Sequence, residues 1–298
     1  MKKNIIIIAS AVACIAGIAG AVGFTQMNKQ KAQNTVYENL QYGTHERNVL
    51  DLYLPENTKE TGLVLFIHGG AWVSGDKSAF SVHAKKACEK LNVAAATINY
   101  RYLSPEITME DILSDIDAAV SKIKVVGKEN GINIRKMLLS GHSAGGHLSM
   151  LYAYKMAETA EIKPAAVANY SGPTNMADEN YFINNDLGND TVLTLLTYAT
   201  GKQITAENIW DNLSDIEKIS PVYYINENTV PTIINHGTAD TIVPYSNAVT
   251  LNEKLTEYNV THILNPYEGS GHGLENNKKN ESYADSLARQ YINEYVLK

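Results

Sequence analysis

One serine in this sequence, Ser143, stands between two glycines in the pattern Gly-x-Ser-x-Gly, which extends from Gly141 to Gly145. A short apolar run precedes the pattern and helix-forming residues follow it, so it predicts a sharp turn from a strand into a helix. Such a turn presents the serine hydroxyl at a helix N-terminus, where the helix dipole favours negative charge. This arrangement suits nucleophilic attack by the Ser143 hydroxyl, and a plain glycine-rich turn is the alternative interpretation.

A serine hydroxyl is a weak nucleophile, so a reactive serine needs a general base, and the base needs an acid that orients it. After a serine turn of this kind, the partners are expected in the chain order Ser, Asp, His, each in a loop that follows a strand. Asp240 follows the segment TIINHG, and His272 follows the segment ILNPYEG. We therefore predict Ser143 as nucleophile, His272 as base and Asp240 as its orienting acid.

The other histidines near these motifs are poorer candidates for the base. His262 lies inside a predicted strand, where it has no access to a loop at the end of the sheet. His142 and His236 adjoin the motifs, and we expect them to pack or to hydrogen-bond locally. His147 lies one helical turn beyond Ser143, where it is expected to support the site.

A second glycine-rich segment, FIHGGAWVSGD, predicts donors for a developing oxyanion. Its glycines allow the backbone to approach a substrate closely. The backbone amides of Gly70 or Ala71, together with that of Ala144, are predicted to form an oxyanion hole. His68 is expected to fix the shape of this loop. Trp72 either lines the substrate pocket or packs beneath the loop, and the sequence favours neither.

Apolar runs alternate with segments of helical spacing along the chain, which predicts an α/β fold with a mostly parallel sheet and helices on both faces. The runs GLVLFIHGG and VAAATINYR are typical of strands buried on both faces, whereas RNVLDLYLP predicts an early edge strand. Residues 172–230 contain no clear strand but two helical segments, DTVLTLLTYATG and ENIWDNLSDIEKI. We interpret them as a small helical insertion or cap over one end of the sheet, or as a long crossover.

The composition limits the class of protein. The chain has 298 residues, of which 44% are hydrophobic, and a formal net charge of −7. The length allows a sizeable core, and the acidic balance argues against binding to nucleic acid. No cysteine and histidine cluster has the spacing of metal ligands, so no metal and no cofactor are expected. Cys88 is expected to be a buried residue on a helix face and not a nucleophile.

The first 24 residues differ from the rest of the chain. Lys2 and Lys3 precede an apolar run of about 20 residues, the length of a membrane span or of a long signal peptide. An uncleaved anchor, cleavage near residues 21–23 and lipidation at Cys14 remain open. The lysines predict that the following chain lies outside the cytoplasm, either secreted or anchored to the membrane through this segment alone. We assign residues 1–24 to a signal or anchor, 25–41 to a polar linker and 42–298 to the folded domain.

The segments HGGAW, INYRYLSP, GHSAGGHLS, ISPVYYI and HGTADTIVP resemble the α/β-hydrolase fold. In particular they resemble the esterase group that includes bacterial carboxylesterases, the feruloyl- and acetylxylan-esterase-like (BD-FAE-like) hydrolases and the hormone-sensitive-lipase-like enzymes. The resemblance extends from about residue 42 to about residue 295. It implies a nucleophile at Ser143, partners at Asp240 and His272, and an oxyanion hole in the loop from Gly69 to Ala71.

The resemblance and the motifs together predict a serine carboxylic ester hydrolase that acts through an acyl-enzyme. Its substrate would be a small-molecule or polysaccharide ester with a short acyl group, including acetyl or feruloyl esters of carbohydrates, and substrate choice is expected in residues 172–230. A serine peptidase or amidase of the same fold is one alternative, although the chain has no room for the large β-propeller of prolyl-type peptidases. A binding protein without catalysis is another, but it predicts a broken triad.

Overall fold

A computed structural model of the chain describes residues 34–178, 187–275 and 277–298. These residues contain one eight-stranded sheet, with the strands in the order β1-β2-β4-β3-β5-β6-β7-β8. They all lie in one compact unit that extends from residue 33 to residue 298. The strands are β1 (Thr35–Gln41), β2 (Val49–Leu54), β3 (Glu60–Ile67), β4 (Ala94–Ile98), β5 (Asn133–His142), β6 (Lys163–Tyr170), β7 (Thr232–Gly237) and β8 (His262–Tyr267).

The sheet is parallel from β3 to β8, and only β2 runs antiparallel to its two neighbours, β1 and β4. Parallel strands end at the same edge of a sheet, so the loops that follow β3, β5, β7 and β8 meet at one edge. This edge is called the carboxyl edge below. The prediction of a mostly parallel α/β sheet is confirmed.

Alternate residues of the central strands point into two different hydrophobic clusters. Leu63 and Leu65 of β3 belong to the larger cluster, and Val64 between them belongs to a cluster on the opposite face. Both faces therefore need a covering layer, which explains the continuous apolar runs of these strands. The helices that supply it are α1 (Ser81–Leu91), α2 (Met109–Glu129), α3 (Ala144–Lys155), α4 (Asn189–Thr200), α5 (Leu213–Glu217), α6 (Ser246–Glu257) and α7 (Lys278–Tyr291).

The helices divide between the two faces according to their buried residues. Helices α2, α3 and α6 contribute to the larger cluster, for example through Ile116, Leu148 and Leu251. Helix α7 packs on the other face through Leu287, and α1 lies on that face through Cys88, next to Ala95 of β4. The sheet is thus covered on both sides, as predicted.

The amino-terminal edge of the sheet differs from the prediction. The segment RNVLDLYLP was expected at the edge, but β2 within it pairs on both sides, and β1 is the edge strand. The predicted linker over residues 25–41 is therefore too long, because Thr35–Gln41 form β1. This strand is largely exposed, with Val36 46% exposed, so it lacks the apolar alternation that would reveal a strand in the sequence.

The described residues of the segment 172–230 contain helices at both predicted places and no strand. Helix α4 covers the first helical segment, and α5 follows a short 3-10 helix, Ile209–Asn212, in the second. A further 3-10 helix, Pro221–Tyr224, packs near α3. None of the helices that the structure describes is both long and apolar enough to cross a membrane. The predicted signal or anchor over residues 1–24 lies outside the described residues.

Candidate active site

The turn between β5 and α3 holds Ser143 in a conformation that side chains rarely adopt, with φ 57° and ψ −124°. A Cβ atom on Gly145 would lie 2.0 Å from the carbonyl oxygen of Ile67, and one on Gly141 would lie 2.4 Å from the Gly145 backbone. Both glycines are therefore required for α3 to approach β3 and β5 this closely. The predicted strand-to-helix turn is present, with Ser143 at the N-cap of α3.

Ser143, His272 and Asp240 form a continuous chain of hydrogen bonds at the carboxyl edge of the sheet. His272 Nε2 lies 2.8 Å from Ser143 Oγ, and His272 Nδ1 lies 2.8 Å from Asp240 Oδ2. Because the carboxylate accepts a hydrogen bond from Nδ1–H, the neutral ring presents Nε2 as an acceptor to the serine hydroxyl. The structure thus brings together all three residues predicted as nucleophile, base and acid.

The Asp240 carboxylate is held by several donors. Its Oδ1 accepts hydrogen bonds from the backbone amides of Ile242 and Val243, each at 2.9 Å, and its Oδ2 lies 3.3 Å from His236 Nε2. Burial would raise the pKa of Asp240, but the hydrogen bonds from His236 and His272 outweigh it and lower the pKa well below its ordinary value. Asp240 is therefore ionised and can orient His272.

His142 and His236 contact the same group of residues from two sides. His236 shares its Nε2–H between Asp240 Oδ2 at 3.3 Å and the carbonyl of Val243 at 2.8 Å, and the latter is the local hydrogen bond expected of it. His142 instead donates from Nε2 to the backbone carbonyl of His272 at 2.8 Å, and their rings lie 4.9 Å apart. The sequence gives no signal for this contact, because His142 and His272 meet only after β5 and β8 are placed in one sheet.

The loop that follows β3 lies directly against Ser143. A Cβ atom on Gly69 would lie 2.7 Å from the carbonyl of His142 and 3.2 Å from Ser143 Cβ. Gly70, Ala71 and Trp72 follow with φ values of 113°, 50° and 62°. For the two residues with side chains this left-handed conformation costs roughly 1–2 kcal/mol each.

The predicted oxyanion donors are free to bind a ligand. Within the described part of the chain, the amides of Gly70, Ala71 and Ala144 donate to no backbone carbonyl. Ala144 is the first residue of α3, so its amide also lies at the positive end of the helix dipole. The carbonyl of Gly70 is occupied, because it accepts hydrogen bonds from the amides of Val73 and Ser74.

His68 fixes the start of this loop, as predicted. Its Nδ1 lies 2.8 Å from the carbonyl of Gly69, its Nε2 lies 3.3 Å from Arg47 Nη2, and its ring stacks on Tyr100 at 4.4 Å. Burial lowers the pKa of His68 to about 4, so the ring is neutral at ordinary pH and can accept from Arg47. These contacts leave both ring nitrogens engaged in holding the loop.

Trp72, the candidate for the substrate pocket, is buried with 2% of its surface exposed. It belongs to the larger hydrophobic cluster, and its Nε1–H donates to His147 Nδ1 at 3.2 Å. The structure therefore favours packing beneath the loop over contact with an acyl group. His147 supports the site in the predicted manner, since it is fully buried one turn beyond Ser143.

In the part of the chain that the structure describes, the remaining side chains do not form a metal site, and the cysteine is buried. No group of three or more metal-ligating side chains occurs among residues 34–178, 187–275 and 277–298. Cys88 is buried in α1, and burial raises the pKa of its thiol to about 12. It is therefore uncharged at ordinary pH, which agrees with a packing role.

Comparison with known proteins identifies the family. A family model described as BD-FAE matches residues 50–255. The chain is 25% identical to isoprenylcysteine alpha-carbonyl methylesterase ICME of Arabidopsis thaliana, over 80% of this chain and 56% of the relative. It is 29% identical to the probable carboxylic ester hydrolase LipM of Mycobacterium tuberculosis, over 70% of this chain and 49% of the relative. The chain thus spans about half the length of the curated relatives it matches.

Solved structures share its architecture. A truncated carbohydrate esterase from gut microbiota superimposes with a TM-score of 0.70 at 22% identity, covering 88% of this chain and 98% of that one. Esterase B from Lactobacillus rhamnosis superimposes with a TM-score of 0.68 at 19% identity, covering 87% and 86%. At these identities the similarity establishes the fold. The family model covers more than half of the chain, and the chain therefore belongs to the BD-FAE family and has the α/β-hydrolase fold.

Proposed function

We propose that this protein is a serine carboxylic ester hydrolase that forms an acyl-enzyme on Ser143. The observation that carries the proposal is the chain of hydrogen bonds from Ser143 through His272 to the ionised Asp240. Two relatives are named as a methylesterase and a probable carboxylic ester hydrolase, which supports the same reaction class. A serine hydroxyl bonded to an oriented, neutral imidazole is the arrangement that this chemistry requires.

In the acylation step His272 Nε2 takes the proton of the Ser143 hydroxyl as Oγ attacks the ester carbonyl carbon. The carbonyl oxygen becomes an oxyanion, and the imidazolium is stabilised by the Asp240 carboxylate. The tetrahedral intermediate then collapses, and His272 gives its proton to the departing alcohol. In the second half, His272 takes a proton from water, the hydroxide attacks the acyl carbon, and Ser143 regains the proton as the acid is released.

The oxyanion is stabilised by the amides of Gly70 or Ala71, together with that of Ala144. These donors have no backbone acceptor among the described residues, so no internal hydrogen bond is lost when a substrate binds. Removing one donor of this kind typically costs about 3 kcal/mol of transition-state stabilisation. Gly70 and Ala71 follow Gly69, whose added Cβ would lie 3.2 Å from Ser143 Cβ, so their amides are close to the nucleophile.

The substrate class that we propose is an ester with a short acyl group, including acetyl or feruloyl groups on carbohydrate. A carbohydrate esterase is among the structures with the same fold, which supports carbohydrate esters as the first class to test. We further propose that the enzyme works outside the cytoplasm, because Lys2 and Lys3 precede a long apolar run. Esters of extracellular polymers would be accessible there.

The direct test is hydrolysis of p-nitrophenyl acetate, butyrate and octanoate by the wild type and by Ser143→Ala. We expect the wild type to cleave the shorter esters faster and Ser143→Ala to lose about 10⁴-fold or more in kcat. Acetylated and feruloylated xylo-oligosaccharides follow as a second panel. A labelled fluorophosphonate, which reacts with activated serines, should modify the wild type at Ser143 and leave the variant unlabelled.

Three outcomes would contradict the proposal. Equal ester hydrolysis by the wild type and Ser143→Ala would exclude Ser143 as nucleophile. Absence of both ester hydrolysis and fluorophosphonate labelling would favour a binding protein on a hydrolase scaffold. Cleavage of amides at a rate comparable with the matching esters would instead assign the protein to the peptidases or amidases.

A further inference from the structure

A buried chain of hydrogen bonds joins the loop from Gly69 to Trp72, called the oxyanion loop below, to two other elements. The indole N–H of Trp72 donates to His147 Nδ1 at 3.2 Å, and His147 Nε2 donates to the backbone carbonyl of Ile219 at 2.7 Å. His147 lies on α3, and its amide donates to the carbonyl of Ser143 at 3.0 Å. His147 therefore lies on the helix that follows Ser143, and its imidazole joins Trp72 of the loop after β3 to the segment that precedes Pro221–Tyr224.

The protonation state of His147 is fixed by these partners. The Ile219 carbonyl can only accept, so Nε2 carries the hydrogen and Nδ1 is left with a lone pair that faces the indole N–H. Burial lowers the pKa of His147 to about 4, which keeps the ring neutral at ordinary pH. A second proton on Nδ1 would oppose the Trp72 donor, so the bond requires this neutral form.

The loop needs such a restraint because its backbone is strained. Ala71 and Trp72 both have positive φ, and the carbonyl of Trp72 is held by the amide of Leu103 at 3.0 Å. Left-handed residues with side chains persist only where the surrounding structure imposes them. Trp72 is the large anchored side chain next to the free amides, and its polar end is bound by His147.

We propose that His147 is a positioning residue that, through Trp72, holds the amides of Gly70 and Ala71 in the orientation that binds the oxyanion. The bond to Ile219 extends this control to the insertion, so the position of that segment affects the oxyanion hole. This inference rests on the proposed esterase function. The proposal predicts that loss of this restraint weakens the binding of the transition state and leaves the binding of the ester unchanged.

The variant Trp72→Phe tests the bond, because it removes the indole N–H and keeps an aromatic ring in the core. The matched control is Tyr154→Phe on α3, the helix that carries His147; it removes a buried hydrogen bond of 2.8 Å to Thr232 Oγ1. We expect Trp72→Phe to lower kcat for p-nitrophenyl acetate by about tenfold or more, with KM changed by less than about threefold. The control should keep kcat within about twofold of the wild type.

A second measurement separates positioning from a general loss of structure. A trifluoromethyl ketone adds reversibly to such serines: an Oγ–C bond forms, the serine proton passes to His272, and the carbonyl oxygen becomes an oxyanion. We expect the inhibition constant of this ketone to rise in Trp72→Phe by the same factor by which kcat/KM falls. The melting temperatures of Trp72→Phe and Tyr154→Phe should fall by similar amounts.

The inference is overturned if Trp72→Phe keeps kcat and the ketone inhibition constant within about twofold of the wild type. It is also overturned if Tyr154→Phe loses as much kcat as Trp72→Phe, because the effect would then be general destabilisation. In both cases an active wild type leaves the proposed function intact. A wild type that neither cleaves esters nor binds the ketone contradicts the proposed function itself.

Discussion

At the scale of single residues, the surroundings of Asp240 decide how His272 can act. Two backbone amides bind one carboxylate oxygen, and the rings of His236 and His272 approach the other. Since every one of these groups is a donor, only an acceptor with two oxygens satisfies the position. The motif in the sequence predicts the carboxylate of Asp240. It does not predict that His236 lies beside this carboxylate, because that contact depends on the curvature of the loop after β7.

The substitution Asp240→Asn tests this arrangement. An amide at this position places an N–H group against donors, so His272 loses the partner that fixes its Nδ1–H tautomer. We expect kcat to fall by about 10⁴-fold with little change in KM. The measurement is steady-state hydrolysis of p-nitrophenyl acetate.

Asp117→Asn is the matched control, because the Asp117 carboxylate accepts a hydrogen bond from Tyr152 at 2.7 Å on α2, away from Ser143. It should keep kcat within about twofold of the wild type. A comparable loss of activity in both variants would show that the effect is not specific to the position beside His272.

The same carboxylate predicts a pH dependence of stability. The pKa of Asp240 is lower in the native protein than in the unfolded chain, where it is about 3.9. At a pH between these two values, the unfolded chain binds more protons than the native protein. The contribution of Asp240 to the free energy of unfolding is therefore complete above about pH 5 and is lost as the pH falls. Melting temperatures at pH 6 and pH 3 should differ less in Asp240→Asn than in the wild type, and an equal or larger difference would contradict the assignment.

At the scale of elements, the turn from β5 into α3 is the part that a local pattern specifies best. The glycines of the motif are required because any side chain there would collide with backbone atoms of β3 or α3. The pattern in the sequence therefore indicates how closely these elements pack in the fold. The edge strand β1 lacks such a signal, because it is exposed and its bulge between Tyr37 and Leu40 breaks the alternation. The sequence leaves the position of Trp72 equally undetermined, because its partner His147 lies in a different element.

Gly145→Ala tests the constraint at the turn. The new methyl group would lie 2.0 Å from the carbonyl oxygen of Ile67, which is backbone and cannot rotate away. We expect a loss of about 3 kcal/mol in the free energy of unfolding, with loss of esterase activity, because α3 and Ser143 must move. Urea unfolding and ester hydrolysis measure the two effects.

Gly131→Ala is the control for this substitution. Gly131 has a φ of 73° but no atom within 4 Å of the added Cβ position. The backbone strain alone should cost about 1–2 kcal/mol and leave kcat within about twofold of the wild type. Equal stability losses in the two variants would show that contact with Ile67 is not the limiting factor.

At the scale of the whole molecule, the sheet separates the reactive edge from the edge where the described chain begins. Thr35 pairs with Leu54, the last residue of β2, and Tyr53 beside it pairs with Ala95 near the start of β4. The beginning of β1 therefore lies at the edge opposite Ser143, which follows the end of β5. This relation cannot be predicted from the sequence, because residues 35–41 are largely exposed and carry no pattern that indicates a strand.

We predict that the residues before 34 are not needed for the reaction, because Ser143, His272 and Asp240 and the hydrogen bonds between them all lie in the described residues. A protein that begins at residue 34 should hydrolyse p-nitrophenyl acetate with kcat/KM within about twofold of the full chain in detergent. A longer deletion that starts at residue 42 also removes β1, and it should lower the melting temperature. In this variant the Asp51 carboxylate loses the hydrogen bond of 2.8 Å that it accepts from the amide of Asn39. The Lys77–Asp51 ion pair, with its 2.6 Å contact, would also become more exposed at the new edge. If instead the shorter deletion abolished activity while its melting temperature was unchanged, the residues before 34 would be needed for the reaction, and the described residues would not contain the whole active site.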